Sequence, residues 1–510
     1  MAELQQGRII LCNASTREPF RVDLVPEFQA SFRLFLRSRA PMFQRLPFVL
    51  LLAVLATSAE AQKLTLESAI REAVSSNPAI GEATANRRAT DFELRQTQGQ
   101  LLPQIRIQGD IGPERQRQFD SPVASLRSST FDVGRQGNVT VRQLIFDGFQ
   151  TANETWRQVA RIDAASWRVK ERSELVGLDT VQSYTDILRL QEMIGQANRN
   201  IAVHRKLFSD VQVRFAGGRA GRGDLDQVQE RVLAAEAARA ELQARLGEAV
   251  ALFRRSVGRE PKQLVWPARP RGVPASRQVA LSQAIQNNPT LRAAGADTNA
   301  AEAQREASRG TNVPTITFEG RAAYGKNTQN YNGRYDDYSA KLSASWLIYS
   351  GGTDTARQNE LAERVGEQQM RFSLLQRQTL ESIDRAIAAR ASLDERIRAL
   401  SGQVGATERV VSAYRSEYEL GQRTLLDLLN AEQTRYNAAV GLINARGLVI
   451  LADYQLLAAT GSLLANVGVK LPSEANNPMR GLRETGALLP PLNLIPPDPA
   501  PAGGTRTGVR

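Results

Sequence analysis

A heptad seam that recurs at a fixed offset constrains this chain more than any other feature. Leu190, Ile194, Ala197, Ile201, His204, Phe208, Val211 and Phe215 are spaced by alternating fours and threes. That spacing keeps one stripe of a helix facing a partner helix. Leu393, Ile397, Leu400, Val404, Thr407, Val411, Tyr414 and Tyr418 repeat it 203 residues later in the same register. Glycines bracket both copies: Gly148 and Gly218 are 70 residues apart, and so are Gly351 and Gly421. At 1.5 Å per residue such a helix reaches about 105 Å, beyond the diameter of a compact domain. The residues after Gly218 and Gly421 are again rich in Ala and Leu at roughly heptad spacing. Each copy therefore predicts a very long helical hairpin, turning near 218–224 and near 421–427.

The duplication extends upstream. LESAI at 66–70 resembles LSQAI at 281–285, NPAI at 77–80 resembles NPTL at 288–291, and LPQIRIQG at 102–109 resembles VPTITFEG at 313–320. LIFDG at 144–148 resembles LIYSG at 347–351. Between these markers the period changes from helical to two. IRIQGDI at 105–111, FDVGRQGNVTVRQLIF at 131–146, ITFEGRAAY at 316–324 and SAKLSASWLIY at 339–349 alternate apolar with polar residues. They predict four strands in two hairpins, about 104–112 with 130–146 and 313–325 with 337–349, each with one apolar face. Taken alone, these read as ordinary half-buried hairpins.

The N-terminus shifts that reading. Arg33, Arg37, Arg39 and Arg45 precede the apolar run LPFVLLLAVLA at 46–56, and Ala59 and Ala61 suit cleavage before Gln62. This is the pattern of a secretory signal peptide, one that can begin at Met42. Cys12, the one cysteine, lies before that site, so a disulfide framework is excluded from the mature chain. An exported chain with amphipathic strands and with Phe146, Trp346 and Tyr349 at strand ends fits a lipid-facing barrel with an aromatic girdle. Four strands cannot close a barrel, so the remaining strands must come from further copies.

Net charge is +12, but Lys and Arg are scattered and no basic run alternates with aromatics, which argues against a nucleic-acid partner. GGRAGRG at 217–223 lacks the Lys-Ser/Thr ending of a phosphate loop. No catalytic set or metal spacing is evident, and neither an enzyme nor a cofactor is expected. The domains expected are an N-terminal extension with signal peptide (1–61), repeat 1 (62–272), repeat 2 (273–471) and a Pro-rich disordered tail (472–510).

With the repeat, the strand hairpins and the tip sequence YELGQRTLLDLLNAEQ at 418–433, residues 62–465 resemble the TolC-type outer-membrane efflux and secretion channels. The resemblance implies a homotrimer whose twelve-stranded barrel continues into a periplasmic α-helical tunnel. It implies a passive duct in the outer-membrane lipid, fed by an inner-membrane transporter (an RND pump or ABC exporter) and opened by a periplasmic adaptor protein. Two other readings stay open at this point: a periplasmic adaptor, which also carries a coiled-coil hairpin, and a coiled-coil scaffold with no membrane role.

Gly218 and Gly421 supply a left-handed position that ends a helix, and Thr424 can cap the returning helix with Asp427 three residues on. The resemblance adds roles. Family channels ring their aperture with two acids one helical turn apart. Asp427 matches the first and Asn430 replaces the second, which implies half the ring charge. Tyr418 and Arg423 match one side of the family's gate latch and Asp224 the other, while two further latch positions fall on Leu207 and Arg415. Gly218 and Gly421 match adaptor-docking positions. Arg423→Ala is expected to raise channel conductance in lipid bilayers; unchanged conductance would remove Arg423 from the latch.

Overall fold

The computed structural model describes residues 63–117, 129–328 and 331–476, with the short stretches 4–5 and 8–9, and all side chains within these except those of 4–5, 8–9, 114–117, 129–132 and 331–332. The signal peptide and residues 477–510 of the tail lie outside the described residues. Two units are distinguished, Met1–Glu60 and Ala61–Arg510. In the first, β1 (Leu4–Gln5) pairs antiparallel with β2 (Arg8–Ile9).

The second unit is built twice over. Repeat 1 runs α1 (Leu66–Ser76), α2 (Pro78–Gly99), β3 (Gln104–Arg117), β4 (Ser129–Phe146), α3 (Gln150–Ala216) and α4 (Arg222–Val257). Repeat 2 runs α5 (Arg277–Asn287), α6 (Pro289–Ser308), β5 (Thr315–Thr328), β6 (Tyr331–Ser345), α7 (Thr353–Glu419) and α8 (Leu425–Ala459), followed by α9 (Leu463–Val467). Both α3 and α7 are 67 residues long, about 100 Å of helix.

The hairpins differ from expectation in one respect. α4 has 36 residues and accompanies only the far half of α3. Gly258, at φ 88°, ends it, and Pro261 follows. The near half of α3 packs instead on α2 and α6, and α6 also lies along α7. The marker LESAI also finds a different partner. Ala69 and Ala73 of α1 stand where Ala280 and Ala284 stand in α5, all four fully buried, whereas Ile285 is 53% exposed. The sequence match was therefore one helical turn out of register, because a short amphipathic helix resembles itself after four residues.

The Asn-Pro pairs explain the junction between the halves. Asn77 Oδ1 accepts from the Ala79 N–H at 2.9 Å and caps α2, while its Nδ2 donates to the Ser256 carbonyl at the end of α4, also at 2.9 Å. Asn288 does the same in repeat 2, capping α6 through Thr290 and Leu291 and donating to the Ala459 carbonyl of α8 at 2.8 Å. Proline follows each, at the first helical position where no N–H is needed. Each Asn thus satisfies the start of one helix and the end of another.

Around these junctions lies the largest core, made by α1, the middle of α3, the end of α4 and the second half of α8. Tyr184, fully buried, accepts from the Val265 N–H at 2.9 Å and lies 2.7 Å from the carbonyls of Leu64 and Val265, which ties the inter-repeat linker to α3. Asp453 of α8 is 1% exposed and receives Arg269 from the linker at 2.6 Å and Arg390 from α7 at 3.1 Å. α8 is long and apolar enough to cross a bilayer by composition, but it is mostly buried within the chain. Asp453 survives there because two guanidiniums balance it.

The four long strands form one antiparallel sheet in the order β3-β4-β5-β6. β6 was expected to reach 349; its ladder stops at Ser345, opposite Thr315, where β5 begins. Trp346, Leu347, Ile348 and Tyr349 follow it, each more than half exposed. One face of the sheet carries Ile105, Ile107, Ile111, Val139, Phe318 and Leu342, all exposed. Among the described residues, the outer edges of β3 and β6 have no partner strand.

Asn288→Ala removes a cap and strands the Ala459 carbonyl, and is expected to cost about 1–2 kcal/mol. A lower denaturation midpoint of the helical circular dichroism signal is the readout.

Candidate functional site

The far ends of α3 and α7 meet the starts of α4 and α8 in two tight turns. Each turn closes the same way. Gly218 (φ 70°) and Gly421 (φ 75°) occupy the left-handed position. The Arg219 N–H donates to the Arg214 carbonyl and the Gln422 N–H to the Glu417 carbonyl, both at 2.8 Å. Gly218 N–H reaches Phe215 O at 3.0 Å and Gly421 N–H reaches Tyr418 O at 3.1 Å. This pair of bonds satisfies the last carbonyls of a helix and requires a residue without a Cβ penalty.

The returning helices start on matched acids. In repeat 2, Thr424 caps α8: its Oγ1 accepts from the Asp427 N–H at 3.2 Å and donates to Asp427 Oδ2 at 2.7 Å. In repeat 1, where Gly221 stands in place of the threonine, Asp224 Oδ2 accepts from the Gly221 N–H at 3.2 Å. Both carboxylates lie in a first helical turn, where the helix dipole favours negative charge. Asp427 is half-buried and Asn430, one turn on, is exposed.

The latch residues divide. Tyr418 receives the Arg214 guanidinium over its ring at 4.6 Å, which joins α7 to α3. Burial raises the Tyr418 pKa, and the carboxylates of Asp224 and Asp210 add to that shift. Arg423 stays with α7: its Nε donates to Glu417 at 2.9 Å and its guanidinium lies over Tyr414 at 4.1 Å. Within one chain the Arg423 and Asp224 side chains thus hold other partners, and the cation beside Tyr418 is Arg214.

Beneath the turns, Leu207, Val211, Val228, Leu425, Leu428 and Leu429 form a small apolar core. Leu207 is part of it. Arg415 reaches Glu432 at 2.6 Å, and Arg435 reaches the same carboxylate at 3.0 Å. Glu432 is 1% exposed. In the sequence the one sign of Glu432 is its place one turn beyond Leu428, on the apolar face of α8. His204 sits nearby, fully buried on the seam. Burial lowers its pKa and so favours the neutral imidazole, while the Glu432 carboxylate acts in the opposite direction. Among the described residues, no three or more His, Cys, Asp and Glu side chains converge as a metal site.

A family model described as outer membrane efflux protein matches residues 69–259 and 280–462, one span for each repeat. The chain belongs to the outer membrane efflux protein family. It is 25% identical over 419 residues to the outer membrane efflux protein BepC of Brucella suis, covering 82% of this chain and 90% of that one. It is 26% identical over 412 residues to the proteases secretion protein PrtF of Dickeya chrysanthemi, covering 76% and 87%. The solved Campylobacter jejuni CmeC outer membrane channel superposes with a TM-score of 0.70 at 13% identity, over 83% of this chain and 90% of that one. Membership in this family places the chain in the outer membrane with its helical part in the periplasm, and makes it an exit duct for efflux or secretion. The adaptor reading is not favoured: the family model covers both repeats of a channel.

Gly421→Ala places a Cβ at positive φ and is expected to cost about 1–2 kcal/mol, and Thr424→Ala about 1 kcal/mol through the lost cap. Greater proteolytic nicking at the turn in both variants, with the sheet unaffected, checks this.

Proposed function

We propose that three copies of this chain assemble into one duct: a twelve-stranded barrel through the outer membrane and a helical tunnel through the periplasm. One observation carries the reading. A four-stranded sheet has an exposed apolar face and, among the described residues, two edges without partner strands, and an open edge is not tolerated in lipid because no water is present to bond its N–H and C=O groups. Pairing β6 of one copy with β3 of the next removes every edge. The helices support the same assembly: α7 leaves Met370 68% and Leu374 55% exposed, an apolar stripe for a neighbouring copy to cover.

In this assembly the tip turns gather round the three-fold axis. Asp427 forms a ring of three carboxylates, with Asn430 as the neutral residue one turn on, so the negative field at the aperture is moderate. Tyr418, Asp224 and Arg423 supply the gate, with Arg214 as a further member; Arg423 and Asp224 come together only by exchanging their present partners, across neighbouring helices or chains. Such exposed pairs are worth about 0–1 kcal/mol each, which suits a latch that a periplasmic adaptor undoes by docking beside Gly218 and Gly421. An inner-membrane transporter, RND pump or ABC exporter, supplies the energy. Named relatives include both efflux and protease-secretion proteins, and the duct itself is passive.

The strand faces give the test. Ile107→Arg puts a charge on the lipid side, at a cost of about 2–4 kcal/mol if it lies at mid-depth, and is expected to abolish recovery of trimer from outer membranes. Gln108→Arg, the next residue but on the lumen side, is expected to insert and trimerise normally. Equal behaviour of the two variants would refute a lipid-facing barrel.

A further inference from the structure

The sheet face opposite the apolar one is unevenly charged. The strand register sets Gln104, Arg142, Glu319 and Lys341 side by side across all four strands. The next row on that face is Arg106, Thr140, Arg321 and Ser339. Rows on one face are about 7 Å apart. These two rows carry four cations against one carboxylate, Glu319. The two rows beyond them carry Asp110 and Asp337 and no cation. The basic rows lie at the end of the sheet joined to the helices, since β3 starts at Gln104 and β4 runs on toward α3. The side chains that β3, β4 and β5 give to these rows line a shared groove, and in it Arg321 Nε is buried without a hydrogen-bond partner.

We propose that these rows form an anion-preferring belt inside the barrel where it meets the tunnel, favouring solutes that carry carboxylate, phosphate or sulfate groups. The inference rests on the barrel reading, because only closure round a lumen turns this face inward. Guanidinium groups stay charged at every physiological pH, so the belt cannot be titrated away. Their planar donor forks match the oxygen pairs of carboxylates and phosphates. The lipid-embedded wall has low permittivity and concentrates the field in the lumen. Three uncompensated positive charges per chain, three times over round the axis, thus oppose the Asp427 ring at the far end of the duct. Cations meet their favourable site at the tip and anions meet theirs at the barrel.

The test uses the full-length protein in planar bilayers at 0.1 M KCl or below, where the Debye length is about 10 Å or more. Inorganic tripolyphosphate added from the extracellular, barrel side is expected to block the current. The paired variant Arg106→Gln/Arg321→Gln is expected to raise the half-blocking concentration at least tenfold and to lower the chloride-to-potassium permeability ratio at least twofold. Arg106→Lys/Arg321→Lys, which retains the charge, is expected to keep most of the block, and Asp427→Asn to leave it unchanged. Wild-type pores that tripolyphosphate does not block, or a Gln pair that blocks within twofold of wild type, would overturn the belt alone. A wild-type chain that forms no pores overturns the barrel reading and the belt with it.

Discussion

In hydrocarbon a backbone N–H or C=O has no water to fall back on, and each unsatisfied group costs several kcal/mol. A sheet of four strands with free edges at β3 and β6 is therefore not a finished object in the outer membrane. That constraint organises the rest of the chain. It calls for copies arranged in a ring, and it sorts the side chains of each strand strictly into those that meet lipid and those that meet the lumen. It also explains why each repeat contributes one hairpin: Ile105, Ile107 and Ile111 continue across the sheet into Val139, Phe318 and Leu342, so the two repeats make one apolar face.

Outside the membrane the problem reverses. Helices about 100 Å long satisfy their own backbones but have no interior of their own, so their stability comes from neighbours along the whole length. The chain solves this in two halves. α2 and α6 cover the sheet-proximal half of α3, and α4 covers the distal half. The two sets of partners meet where Asn77 and Asn288 each cap one helix and bond the end of another. The main core, the linker held by Tyr184 and the buried Asp453 all gather at this level. The distal half has a smaller core and a half-exposed ion pair between Arg423 and Glu417, features of a locally less stable end.

Much of this was legible in sequence because it depends on period. The seam from Leu190 to Phe215 returns at Leu393 to Tyr418, and the strand alternation switches period cleanly at Pro103 and Pro314. The turn residues were legible too, since Gly218, Gly421 and Thr424 are dictated by local backbone geometry. Less legible were features set by what lies across a gap. LESAI was matched one turn out of register because sequence periodicity cannot distinguish i from i+4 on a short helix. The partner change halfway along α3 leaves no mark in α3 itself. Glu432 and Arg415 are a single polar contact inside an otherwise apolar contact pattern, and only proximity reveals them as a pair.

Local propensity and periodicity are enough to set the two long helices, their duplication and the sidedness of the strands. Tertiary structure alone decided which charges find which partners. Arg423 lies on Glu417 and Tyr414, Arg214 lies on Tyr418, and Asp224 caps its own helix. It also decided that Arg106, Arg142 and Arg321, scattered over more than two hundred residues, stand together on one face of the sheet. The physical reason is range. A cap or a heptad is fixed within a few residues of chain, whereas an ion pair or a charged belt depends on the register between segments that only folding brings side by side.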